Sequence, residues 1–140
     1  MEWTTLLTSN QAHGMDYIEA TTEVCAGLAD AWDATTAAGA VQLAIEAWKR
    51  LSGTDLAWDR FGLEMLDIRA RLYADHDDVV VVAAAPARDD AETRRAVATL
   101  VEHLARYHER LATCDGDDLA RRLDHDAAAQ QLRRAVAALA

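Results

Sequence analysis

Apolar side chains recur along this chain in steps of three, four and seven, the spacing that lines up one buried stripe on an α-helix. From about Gln11 to Trp32 the stripe is Met15, Ile18, Cys25, Leu28 and Trp32, with Asp16, Glu19, Glu23 and Asp30 largely on the other side. A cap for this helix is available at Thr8-Ser9-Asn10. Asp33, Thr35 and Thr36 offer the next cap, and Val41, Leu43, Ile45, Trp48 and Leu51 carry a second helix to Ser52-Gly53. Gly53 suits the left-handed residue that ends many helices. Thr54-Asp55 restarts the chain into a third stripe of Leu56, Phe61, Met65, Ile68 and Leu72, widened by Leu63 and Leu66. That helix is expected to end near Tyr73.

Asp75-His76-Asp77-Asp78 is a polar break. The run from Val79 to Ala85 suits a strand by its β-branched residues, but no second run of that kind is available to pair with it. It is therefore expected to be a short buried helix ending before Pro86. A further helix is predicted from about Arg88 to Thr113, through Val97, Leu100, Val101, Leu104, Tyr107 and Leu111. Asp89, Asp90 and Glu92 crowd its first turn, where the helix dipole favours acids. Asp115-Gly116-Asp117 reads as a turn with Asp117 as the cap of a last helix, about 118–139, carrying Leu119, Leu123, Leu132, Val136 and Leu139. Short connections make successive helices antiparallel neighbours. The expected fold is all-α: an up-down antiparallel bundle of four to five helices, one domain over 1–140.

Composition agrees with the pattern. The 51% apolar share is dominated by Ala and Leu, the best helix formers, with a single Pro. At 140 residues the chain can bury roughly two thirds of its unfolded surface, enough for a core without staples. Charge then narrows the partners. With 24 acids against 14 bases the formal net charge is −10, and no basic footprint for nucleic acid exists. The net negative charge is concentrated early: residues 1–70 hold 11 acids and 4 bases, against 13 and 10 in 71–140. No apolar run approaches a membrane span, and no signal-peptide pattern is visible, so the expected address is the cytoplasm. Thirteen of the 14 bases are Arg, which together with the Ala excess points to GC-rich codon usage and a bacterial source. Cys25 and Cys114 form no CxxC pair and read as small buried residues.

Candidate chemistry is sparse. Glycine-rich phosphate loops, nucleophile elbows and zinc spacings are absent, and no catalytic residue is assigned. Helical bundles often carry metal sites on Glu-x-x-His pairs, but Glu102 adjoins His103 and Glu109 follows His108. His103 and His108 are turned about 140° apart on one helix, so they do not share an ion. Neither a metal nor a cofactor is expected. His108 borders the apolar stripe, with Leu104 at i−4 and Leu111 at i+3, and is expected to be the inward polar group. Trp32, Trp48 and Trp58, from three helices, fill volume between Ala-rich faces or line a pocket together with His103, Tyr107 and His108.

The leading expectation is a non-enzymatic protein-interaction module, acidic and self-associating as a homodimer or binding another protein. It rests on the lack of a catalytic constellation, the wide apolar stripes and the acidic first half, and self-association on the width of the third apolar face, more than one core stripe requires. The alternative is a small-molecule-binding protein or an enzyme with a Trp/His-lined pocket between helices.

Overall fold

The computed structural model describes residues 4–5, 16–30, 33–53, 55–76, 79–80, 86, 88–113 and 118–140. Five helices pack against one another: α1 (Tyr17–Asp30), α2 (Ala34–Leu51), α3 (Leu56–Leu72), α4 (Ala91–Ala112) and α5 (Leu119–Ala138). The parts of the expected first helix at 11–15 and 31–32, Met15 and Trp32 included, lie outside the described residues. So does the expected cap at Thr8-Ser9-Asn10.

Each helix is entered through an aspartate whose carboxylate accepts a backbone N–H of the first turn. Asp16 accepts from Ile18, Asp33 from Thr36, Asp55 from Ala57, Asp90 from Thr93 and Asp118 from Arg121. These bonds satisfy donors that have no partner inside the helix. The cap of α5 is Asp118, not Asp117 as the sequence suggested, because Asp118 has the extended backbone of a cap and the helix starts one residue later. At the end of α2, the Ser52 N–H donates to the Trp48 carbonyl at 2.7 Å and Gly53 follows at φ +90°. A side chain there would be strained, so the glycine that the sequence marked as a stop has a backbone reason.

The bundle is the up-down arrangement expected, with one exception that shapes the site. α1 and α2 are antiparallel, as the Tyr17 hydroxyl donating to the Leu43 carbonyl at 2.6 Å and the approach of Gly27 to Thr36 show. α2 and α3 are antiparallel as well, with Trp48 against Gly62. α4 and α5 form a hairpin that joins Glu102 to Arg133 and His108 to His125. Between α3 and α4, however, the chain returns along the bundle, so these two helices run the same way. Asp55 and Arg94 pair at their starts, and Tyr73 and His108 pair at their ends.

The stretch between α3 and α4 also departs from expectation. A short helix was expected over Val79–Ala85, but Val79–Val80 is extended (β2) and pairs in parallel with Thr4–Thr5 (β1). Residues 81–85 lie outside the described residues. The β-branched preference wins because a partner does exist, in a threonine pair that no alternating pattern flags.

Two buried faces differ from the expected stripes. α1 buries Tyr17, Ala20, Thr21, Val24 and Leu28, leaving Ile18 and Cys25 partly covered. α5 buries Ala128, Ala129, Gln131, Leu132 and Ala135, and Leu139 just after it, whereas Leu119 and Leu123 are 67% and 59% exposed. In both cases alanine marks the inner face, because a methyl lets neighbouring backbones approach closely. On α3 the core takes Trp58, Phe61, Met65 and Ile68, while Leu56 and Leu63 stay in solvent.

Candidate functional site

Because α3 and α4 are parallel, their C-terminal ends lie together, beside the first turns of α5 and the start of α2. This end of the bundle holds a cavity of about 310 Å³, a size at the lower end of small-molecule sites. Its wall is partly apolar, with Ala34 from α2, Leu72 from α3 and Leu111 from α4. Into it converge the rings of Tyr73, His76, Tyr107, His108 and His125. Arg71, Arg121 and Asp124 complete the rim.

His108 is the centre of this group. It is 1% exposed, on the inner face of α4, and both ring nitrogens are engaged. Nε2 lies 2.7 Å from the Tyr73 hydroxyl, and Nδ1 lies 3.0 Å from Nδ1 of His125. The imidazoles of His108 and His125 stack at 5.1 Å, and the rings of Tyr73 and Tyr107 meet His108 edge-on at 5.8 and 5.2 Å. Burial holds the His108 pKa down at about 3, and the charge of His125 pushes the same way, so the buried ring is neutral near pH 7. Burial also raises the Tyr73 phenol well above its ordinary value, with Tyr107 adding to the effect, so it is protonated.

These two constraints leave a hydrogen-bonded chain with two allowed polarities. If Tyr73 donates to His108 Nε2, then His108 carries its proton on Nδ1 and donates to His125. If His125 donates from Nδ1, then His108 holds its proton on Nε2 and Tyr73 accepts. Each nitrogen is satisfied either way, and switching needs proton shifts but no movement of heavy atoms.

The residues singled out in the sequence are not all brought together. Tyr107 and His108 line this cavity, with His108 turned inward. His103 sits on a separate recess of about 220 Å³ with Leu28, Ala29 and Arg106, its Nδ1 2.9 Å from the Thr99 carbonyl. Tyr107 borders both spaces. Trp58 is in the core at the other end of α3, edge-on to Phe61 at 5.5 Å with the Arg94 guanidinium 5.7 Å over its ring. Trp48 packs half-buried against Gly62 between α2 and α3. Trp32 lies outside the described residues. The described tryptophans therefore fill volume away from the cavity, and its aromatic wall is made of tyrosine and histidine.

Tyr73, His76 and His125 were not among the sequence candidates. His125 had a usable signal. The turn expected from the sequence at Asp115-Gly116-Asp117 is midway in sequence between residues 108 and 125, and in a helical hairpin residues equidistant from the turn face each other. Among the described residues no group of three or more His, Cys, Asp or Glu is placed to hold a metal ion. None of the described helices is long and apolar enough to cross a membrane. Comparison of the chain with known protein families, curated proteins and solved structures finds no match.

Proposed function

We propose that this chain binds a small molecule in the cavity at the shared end of α3, α4 and α5. The observation that carries this reading is the chain Tyr73–His108–His125, which runs from the buried interior to the cavity wall. A buried imidazole bonded to a buried phenol costs desolvation that two apolar side chains of equal volume would avoid. The arrangement serves orientation: a few fixed polar groups among apolar walls is what recognition of a small molecule requires. Its chemistry also suits proton transfer, since His125 touches the cavity and is held by a second ring that is itself held by a third group.

Indole fluorescence is a poor reporter here, because no described tryptophan lines the cavity. Carbon–proton NMR spectra of the histidine rings report on it directly. Screening small aromatic acids, amides and phosphate esters should yield compounds that move the His108 and His125 signals and leave His103 unmoved. A saturating compound at one hundred times its Kd should add about 2.7 kcal/mol of stability. Failure of every compound to move those two signals would remove the reading.

Self-association, the reading the sequence favoured, keeps one supporting feature. Leu56 and Leu63, 75% and 71% exposed, are seven residues apart on the outer face of α3. Two leucines are a narrower patch than the seven apolar residues that motivated the expectation, since Phe61, Met65 and Ile68 turn inward. If this face pairs with its copy about a two-fold axis, sedimentation at micromolar concentration gives a dimer and Leu56→Glu/Leu63→Glu gives a monomer. A monomer for the native chain sinks the idea.

A further inference from the structure

The cavity carries charges whose arrangement bears on what it takes. Arg121 comes from the first turn of α5, and its guanidinium has no partner among the described residues. Asp124, three residues on and on the same wall, does not close an ion pair with it. His76 brings a second incomplete group: its Nδ1 is enclosed and has no hydrogen-bond partner among the described residues. Arg71, by contrast, is committed to Asp67 at 2.9 Å and to the Gln131 amide.

We infer that the ligand carries an oxyanion, a carboxylate or a phosphate, held by Arg121 and His125, and that binding it adds one proton to the His108–His125 pair. This rests on the binding reading above and names the chemistry of that site.

The proton goes to His125. His108 is enclosed and resists charge, whereas His125 stands at the wall, where solvent and a ligand reach it. An imidazolium at 125 has a hydrogen on Nδ1 and must donate to His108 Nδ1. His108 then keeps its single proton on Nε2 and donates to Tyr73. One added proton thus selects one of the two polarities of the chain, and an anion in the cavity stabilises that state. The remaining charges set the level of this response without reversing it. From α5, Asp124 favours the charged ring and Arg121 opposes it. From α3, Arg71 is balanced by Asp67, and Tyr73 is neutral. From α4, Tyr107 is neutral, its phenol raised by burial and then by Asp33 at the start of α2. In the turn after α3, His76 presents its Nδ1, unpartnered among the described residues. An anion relieves the repulsion between Arg121 and a protonated His125, which a neutral ligand of the same shape does not.

The test compares benzoate with benzamide, near-identical in shape, by titrating the full chain at pH 5.5, 6.5 and 7.5 and following the histidine ring signals. Inorganic phosphate forms a third arm that tells a phosphate site from a carboxylate site. A histidine changes charge between about pH 5 and 8, and one linked proton changes affinity by up to about tenfold per pH unit. Benzoate or phosphate should therefore bind at least about tenfold tighter at pH 5.5 than at 7.5. Benzamide should bind at least about tenfold more weakly than benzoate at pH 5.5, with no pH dependence. Both Arg121 and His125 are outside the core, so Arg121→Gln should weaken the anions alone and His125→Gln should flatten their pH profile; the native profile needs no variant. Equal binding of benzoate and benzamide, or anion binding independent of pH, overturns the inference and leaves the cavity a site for neutral ligands. Silence of the His108 and His125 signals towards all three probes, and towards the wider set of compounds, overturns the binding reading itself.

Discussion

Gly62→Ala is expected to destabilise the chain by about 3 kcal/mol, lowering its melting temperature by about 10 °C. Gly62 is buried in the middle of α3, and a methyl group built on it would overlap the five-membered ring of the Trp48 indole. Helical propensity points the other way, since alanine in place of a mid-helix glycine gains up to about 1 kcal/mol. The clash wins because the overlapping atoms belong to the body of the indole, not to a flexible tip, and α2 and α3 must part or the ring must leave. Trp48 is half-buried, so expulsion into solvent is the less costly route, and it forfeits the packing of a tryptophan. Combining Gly62→Ala with Trp48→Leu should recover more than about 1 kcal/mol of the loss, a coupling that chemical denaturation measures directly. Unchanged stability in Gly62→Ala alone would mean that the two helices are not in close contact there.

This contact also shows why some of the architecture was readable and some was not. The starts of α2 to α5 and the end of α2 were legible to within a few residues because aspartate caps and the Ser52-Gly53 stop act locally, within one turn of chain, whereas α1 starts at Tyr17 behind Asp16 and not near Gln11. The inner faces of α1 and α5 were legible only in part, through Leu28, Leu132 and Leu139, for a reason of size. Counting large apolar residues finds Ile18, Cys25, Leu119 and Leu123, but tight helix approach is bought with alanines, and Ala20, Ala128, Ala129 and Ala135 mark the true seams. Gly62 belongs to the same class: it is informative only once Trp48 is known to lie across from it.

The site divides along a similar line. His108 could be placed inward from its own helix, because Leu104 and Leu111 flank it at helical spacing. Its partners could not be read in that way. Tyr73 reaches it because α3 and α4 run parallel, which brings their C-terminal ends together. Short connections suggested strict alternation, which would have put Tyr73 and His108 at opposite ends. The tryptophans were grouped by residue type, but type says nothing of which end of a helix meets which; Trp58 and Tyr73 occupy the two ends of one helix.

The other large effect is expected from acid. Between pH 6.5 and 4.5 the folded chain should lose stability at about 1 kcal/mol per pH unit, and His108→Ala should lose that dependence. In the unfolded chain this imidazole takes a proton near its ordinary value, about 6.5. In the fold it resists one down to about 3, through burial first and the neighbouring His125 second. Above pH 6.5 neither state is charged, and His108 contributes no slope. Below that value the unfolded state binds the extra proton, so stability present at neutral pH is lost progressively as pH falls towards the folded value. The depressed carboxyls Asp55, Asp67, Asp89, Asp90 and Glu109 act in the same direction, but their unfolded values place their effect nearer pH 4 and below. The interval from 6.5 to 5 therefore separates the histidine from the carboxyls, and the His108 variants assign the slope to this ring. At pH 7, His108→Ala should itself cost about 3 kcal/mol, because it opens a cavity in the core and leaves the buried Tyr73 hydroxyl without its partner. His108→Gln, which keeps a polar group near Tyr73 but cannot titrate, should recover part of that cost and still show no slope. Urea unfolding of the three proteins at pH 7.0, 6.0 and 5.0 measures both quantities. A native chain as stable at pH 5.0 as at 7.0 would show that His108 takes its proton in the fold as readily as outside it, and that the Tyr73–His108–His125 chain is not held neutral.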